Sequence, residues 1–251
     1  MAEIDALLEI MARLRNPDGG CPWDLEQTHS SISPHTIEEA YEVDEAIRSG
    51  DPEALRDELG DLLFQVVFQA RIAEERGDFD FAGIVEAIHS KLVRRHPHIF
   101  ADAERPTTSS KQLANWEEIK AAERASAASK EEGPPDPFAG VPRHLPALAR
   151  SAKIAGRVDR LKSKAGESEA ASSFAEEIEA ALSGLEATRE TLASSDASRD
   201  ALNSGDRLRL IGEGLRGWVR LSRVLDVDPE QALRELDEEQ IRQTRALIGS
   251  T

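Results

Sequence analysis

Residues 33–77, SPHTIEEAYEVDEAIRSGDPEALRDELGDLLFQVVFQARIAEERG, constrain the fold more than any other stretch of this chain. Ser33 followed by Pro34 is a helix start, an N-cap with proline at the first helical position, and Gly50 is a stop. Asp51 and Pro52 repeat the start signal at once, and the second helix is expected to run to about Gly77. If the two helices pack antiparallel across the Gly50–Asp51–Pro52 turn, the carboxylates they carry meet. Each helical residue turns about 100°, so Glu38, Glu39 and Glu42 share an arc of about 100°, and Glu58 and Asp61, three apart, share a face.

Two readings of these acids stay open on spacing alone. Glu38 and Glu39 would lie in a first helical turn, where carboxylates favour the helix dipole, and 48 of the 251 residues are Asp or Glu, so a chance EExxE is unremarkable. Against this, DLLFQVVF is apolar round nearly the whole helix, so Glu58 and Asp61 open a segment expected to be largely buried, where a carboxylate needs a partner. Gly60 within that helix costs about 1 kcal/mol relative to Ala and suggests close approach by a backbone or ligand. Convergent carboxylates repel unless a cation lies between them, and all-oxygen ligation suits Mg²⁺ or Mn²⁺ rather than zinc.

The rest of the first half is helical by the same signals. Ile4 to Leu14 is amphipathic and ends at the turn-rich NPDGGCPW; FAGIVEAIHSKLVRRH is closed by Pro97; SSKQLANWEEIKAAERA is a fifth helix. Short connections and no convincing strand predict an all-α fold of helical bundles. The composition then shifts to Ala, Ser, Lys, Glu and five prolines up to Pro146, which predicts domains at 1–125 and 148–251 joined by a linker at 126–147. A Ser/Ala/Glu-rich stretch at 163–173 is expected to be mobile.

The net charge of −17 argues against a general nucleic-acid surface or an anionic membrane surface. Cys21 is the one cysteine, so no internal disulfide forms, and it is read as packing. The N-terminus lacks a basic n-region and a long apolar stretch, and no run approaches a membrane span; a cytoplasmic protein is expected.

EEAYE followed by ELGD, together with LLEIMARLRNPDGGCPWDLEQTH, GDLLFQVVFQAR, KLVRRHPHIFAD and NWEEIK, resembles the MazG nucleoside triphosphate pyrophosphohydrolases. The resemblance is close over residues 4–124 and weaker but continuous beyond. It implies that Glu39, Glu42, Glu58 and Asp61 are Mg²⁺ ligands (with Mn²⁺ as a substitute), and that Glu38 supports a second ion or orients the attacking water. It also implies that Lys91 and Arg95 touch the triphosphate and that Trp116 and Lys120 lie near the nucleotide. The activity implied is hydrolysis of a ribo- or deoxynucleoside triphosphate between its α- and β-phosphates, giving monophosphate and pyrophosphate, in nucleotide-pool house-cleaning. A homodimer is the family habit. From the residues alone, Lys91, Arg94 and Arg95 equally suit a helix C-terminus, and Trp116 equally suits a core.

The second half repeats the first. LGDLLFQVVFQAR (59–71) lies against IGEGLRGWVRLSR (211–223) at one constant offset, matching Gly60 with Gly212, Leu63 with Leu215, Val67 with Val219 and Arg71 with Arg223. Tandem domains are a family arrangement, and LPALARSAKIAGRV resembles the opening of a second one. This copy departs from the pattern: Leu210 stands in the place of Glu58 and Glu213 in that of Asp61, and EEIEAAL (176–182) keeps Glu176 and Glu177 with Ala180 where a third Glu belongs, while another register would pair Glu176 with Glu179. The N-terminal site is therefore expected to be the active one, with the second half serving dimerisation or stability. Two rivals from other classes remain. Glu26-x-x-His29 and Glu86-x-x-His89, with Glu42 and Glu58, imitate a ferritin-like di-iron site. Alternatively, the chain is a non-catalytic nucleotide-sensing or scaffolding bundle.

Overall fold

The computed structural model describes residues 2–101, 105–128, 136–164, 174–194 and 203–248. The described residues form helices and no strand, as expected of an all-α chain. The chain divides into two compact units, Met1–Lys120 and Ala121–Thr251. Residues 165–173 of the Ser/Ala/Glu-rich stretch and 129–135 of the expected linker lie outside the described residues.

The first unit holds α1 (Ala2–Leu14), α2 (Pro22–Glu26), α3 (His29–Ser49), α4 (Pro52–Arg76), α5 (Phe81–Arg95), α6 (Pro97–Phe100) and the start of α7 (Ser109–Ala128). Helix α3 begins five residues before the expected Ser33–Pro34 start. Thr28 and Ser31 form a reciprocal cap, the Thr28 hydroxyl accepting from the Ser31 amide and the Ser31 hydroxyl from the Thr28 amide. That reciprocal cap starts α3 at His29 and leaves Pro34, which has no backbone N–H to donate, inside the helix. The stop at Gly50 is as read: its left-handed φ of 71° ends α3, and the Asp51 carboxylate accepts from the Glu53 and Ala54 amides to start α4.

Helix α4 is the spine. It packs along α3 and against α1 and α5, burying Val67, Phe68 and Ile72 with Met11 of α1 and Ile32 of α3. Arg15, just past α1, is buried within this core. Its Nε and Nη2 donate to the Glu75 carboxylate at 3.1 and 2.7 Å, its Nη1 donates to the Asp24 and Gln27 carbonyls, and its guanidinium lies 5.4 Å from the centre of the Phe68 ring. One side chain thus ties α1, the end of α2 and α4 together. Burial by itself raises the Glu75 pKa, but the hydrogen bonds from Arg15 and Arg71 more than offset it and hold the carboxyl below its ordinary value.

The apolar run of α4 is less buried than its composition implies. Leu59 and Leu63 remain 48% and 41% exposed, and Ile37 and Tyr41 of α3 are exposed as well.

The second unit continues with α8 (Ala147–Lys164), α9 (Phe174–Ser194), α10 (Ser204–Val224) and α11 (Pro229–Ile248). Here α10 is the spine, packed along α9 and against α8. Gly217 lets the two helices close: a Cβ there would stand 2.8 Å from the Leu185 Cδ2. Leu210 and Val219 are buried. Among the described residues no helix is long and apolar enough to cross a membrane.

Candidate metal centre

The start at His29 places Glu38 and Glu39 in the interior of α3, so the first-turn dipole account of these acids does not apply. Across the turn at Gly50, Glu39 meets Glu58 and Asp61, which lie three residues apart on α4. One carboxylate oxygen from each lies within 4.8 Å of the other two, and among the described residues this is the group of His, Cys, Asp or Glu side chains close enough to share an ion. Glu39 and Glu58 are half-buried; Asp61 is exposed rather than buried with the apolar run. No other backbone or side chain among the described residues approaches Gly60, since a Cβ there would meet nothing within 4 Å.

The electrostatics carry the signature of crowded carboxylates. The Glu39 pKa is raised, first by burial, then by a hydrogen bond shared with Glu42 and by the charges of Asp61 and Glu42. Glu58 is raised by burial and by the charges of Glu42, Asp61 and Asp57. Glu42 therefore belongs to the same cluster. Carboxylates gathered in this way repel one another unless a cation offsets their charge.

Gln65, one turn beyond Asp61 on α4, was marked by no motif. Its side chain is buried; Nε2 donates to Glu39 Oε1 at 3.3 Å, which lowers the Glu39 pKa in part, while Oε1 has no partner among the described residues. The available signal was an amide in DLLFQVVF, where α4 is otherwise apolar.

A divalent cation fits these residues. The donors are all hard oxygens, and two oxygens on one Mg²⁺ lie no more than about 4.2 Å apart, twice a bond length of about 2.1 Å. Carboxylates already within 4.8 Å need only a small closure to share one ion.

The remaining expected residues are arranged as follows. Glu38 is exposed beside the cluster, its carboxylate 3.4 Å from His35 Nδ1. Lys91 is exposed on α5, and Arg94 and Arg95 form its last turn. Trp116 of α7 donates through Nε1 to the Arg95 carbonyl at 3.1 Å and packs edge-on against His96, with ring centres 5.2 Å apart, so the structure brings Trp116 and Arg95 together. Lys120 is half-buried on α7. Half-buried Cys21 caps α2. The di-iron alternative finds no support: the His29 ring is hydrogen-bonded to the Gln69 side chain, Glu86 and His89 are exposed, and no histidine joins the carboxylate group among the described residues.

The MazG nucleotide pyrophosphohydrolase domain matches residues 27–100, the span of α3, α4 and α5. The chain is 54% identical over 157 residues to the nucleoside triphosphate pyrophosphohydrolase of Escherichia coli (strain K12), covering 62% of this chain and 57% of that protein. It thus spans little more than half the length of that relative. It is 36% identical over 231 residues to the nucleoside triphosphate pyrophosphohydrolase/pyrophosphatase MazG of Thermotoga maritima, covering 92% of this chain and 80% of that one. The crystal structure of a mazG-related protein from Thermotoga maritima is 26% identical and covers 47% of this chain and 98% of its own, with a TM-score of 0.39. Identity sustained along four-fifths of the Thermotoga MazG protein, through both units of this chain, shows that the chain belongs to the MazG family.

Proposed function

We propose that this chain is a divalent-metal-dependent nucleoside triphosphate pyrophosphohydrolase that works from its first unit. The convergence of Glu39, Glu58 and Asp61 carries this reading, with Glu42 hydrogen-bonded into the same cluster. The names of the relatives support the reaction. Glu39, Glu42, Glu58 and Asp61 would hold Mg²⁺, with Mn²⁺ as a substitute. The ion, once bound, neutralises the carboxylates and withdraws charge from the phosphoryl oxygens.

The protein's own groups do the rest. Glu38, exposed and steadied by His35, orients the attacking water and accepts its proton. Lys91 and Arg95 neutralise the outer phosphates. The indole of Trp116, already bonded to the Arg95 carbonyl, fixes that end of α5 beside the nucleotide, and Lys120 lies on the same helix. Water is added across the α–β anhydride, leaving a monophosphate and pyrophosphate. The residue types fit phosphoryl chemistry, which asks chiefly for positioning and charge neutralisation. We place the activity in the cytoplasm, in cleansing the nucleotide pool.

The second unit reads as a copy that has lost its site, with domains at 1–125 and 148–251 about a linker at 126–147. Val67 and Val219, paired by the repeat, are both fully buried, and each lies on the helix that forms the spine of its unit. Leu210, in the place of Glu58, is buried as an apolar group, and Glu213, in the place of Asp61, pairs with Arg209 at 2.9 Å. Of the EEIEAAL segment, the Glu177 and Ala180 side chains lie outside the described residues. The exposed Ile37, Tyr41, Leu59 and Leu63, on the two helices that carry the carboxylates, support pairing with a second copy.

The deciding experiment is product analysis with Mg²⁺ and a panel of ribo- and deoxynucleoside triphosphates. Wild type and Glu213→Gln should release pyrophosphate and monophosphate, and Glu58→Gln should lose on the order of a hundredfold or more in rate. Nucleotide binding with no pyrophosphate from any substrate would replace the enzyme with a sensor or scaffold.

A further inference from the structure

The second unit contains a cavity of about 880 Å³ between α8 and α10 whose charge runs against that of the chain. The protein carries −17, yet the charged side chains lining this cavity are Arg150, Asp159, Lys162, Arg216, Arg220 and Arg223. The volume falls within the range of small-molecule sites, about 300–1,000 Å³.

Arg223 is spoken for. It crosses α8 at Gly156, where a Cβ would stand 2.7 Å from its Nη1, and it donates to the Ala152 carbonyl at 3.1 Å and to the Asp159 carboxylate at 2.8 Å. That pairing neutralises the carboxylate of the lining. Among the described residues, the charged groups of Arg150, Lys162, Arg216 and Arg220 then make no ion pair or hydrogen bond, and the buried Nε of Arg150 has no acceptor. Like charges gathered without a counterion repel, and a buried donor without an acceptor costs free energy; both are relieved by an anion.

Spacing defines the anion further. Arg216 and Arg220 are one turn apart on α10, so their guanidinium forks share a face. Arg150, Ile154, Val158 and Lys162 follow at four-residue intervals on α8, making a stripe about 18 Å long with a cation at each end and apolar side chains between. Arg216 and Arg220, one turn apart, are spaced to hold adjacent linked phosphoryl groups, and arginine pairs bidentately with phosphate oxygens.

We propose that this cavity binds a condensed phosphate, either free pyrophosphate or the phosphate chain of a nucleotide, without a metal ion and apart from the carboxylate site. The proposal is independent of the hydrolytic reading, because binding is tested in chelator where no turnover is measured.

The test is calorimetric titration of the full-length protein in chelator with inorganic pyrophosphate, a nucleoside triphosphate carrying a methylene bridge between its α- and β-phosphates, and inorganic phosphate. Wild type should bind the first two at least tenfold more tightly than inorganic phosphate. Equal affinity for both would identify the phosphate chain as sufficient, and tighter binding of the analogue would identify the nucleotide. Arg216→Ala/Arg220→Ala, at two exposed positions, should weaken binding tenfold or more, Arg216→Lys/Arg220→Lys should restore part of it, and Arg242→Ala on α11 should leave it unchanged. Absence of metal-free binding, no preference over inorganic phosphate, or unchanged affinity in the double alanine variant with its helical circular dichroism intact would each overturn the proposal.

Discussion

Glu39 shows how one side chain records what its neighbours require. Its pKa is raised above the ordinary 4.5 by burial, by the hydrogen bond with Glu42 and by the Asp61 charge, and Glu58 is raised with it. In the metal-free protein the folded state thus binds these protons more tightly than the unfolded chain does. The stability this contributes is fully present below about pH 4.5 and is lost as pH rises through the elevated values. Glu39→Gln removes both a titration and a repulsion. In chelator at pH 7 its melting temperature should therefore exceed that of wild type by about 2–4 °C, with the gap closing by pH 4. A gap that is constant with pH would mean that Glu39 is not crowded. Gln65 was not legible at this scale, because its role depends on which carboxylate lies opposite it, and that partner is 26 residues away along the chain.

Among the elements, α3 and α4 were legible because their ends are written in local chemistry: Gly50, Asp51 and Pro52 do at the turn what their residue types predict. The start of α3 differs from the local signal at Ser33 and Pro34, because the helix begins at the mutual cap of Thr28 and Ser31 and includes Pro34. Arg15 is a different case, a charge buried by tertiary packing, holding α1, α2 and α4 through Glu75 and two carbonyls. Arg15→Met leaves the partly exposed Glu75 carboxylate with Arg71 alone and should cost about 3 kcal/mol in urea unfolding at pH 7. Because the Glu75 pKa is depressed, its contribution is present above about pH 4.5 and lost as pH falls through the lowered value. The difference between variant and wild type should accordingly shrink in acid; a difference independent of pH would assign the loss to packing alone.

For the whole molecule, metal and assembly are the two quantities to measure. If the carboxylates hold a divalent ion, Mg²⁺ at about a hundred times its dissociation constant adds roughly 2.7 kcal/mol, because the ion binds only the folded form. Melting temperature should rise with Mg²⁺ and not with Na⁺ of equal ionic strength, and Glu58→Gln should abolish the difference. The exposed Leu63, on the helix that carries Glu58 and Asp61, gives the assembly test: wild type should run as a dimer in size-exclusion chromatography with light scattering, and Leu63→Glu as a monomer. A wild-type monomer would leave that apolar surface without the proposed partner.

Taken alone, the sequence determined the helical class, the turn at Gly50 and the ordered carboxylates on either side of it. These follow from periodicity, capping and residue identity, which act over one or two helical turns. Only the tertiary structure decided that Glu39, Glu58 and Asp61 come within 4.8 Å, that Asp61 and Leu63 stay exposed and that Arg150, Lys162, Arg216 and Arg220 line one cavity with no ion pair among the described residues. The reason is distance along the chain. Which face of a helix is covered depends on the helix packed against it, and no local pattern in either one states where the other will lie.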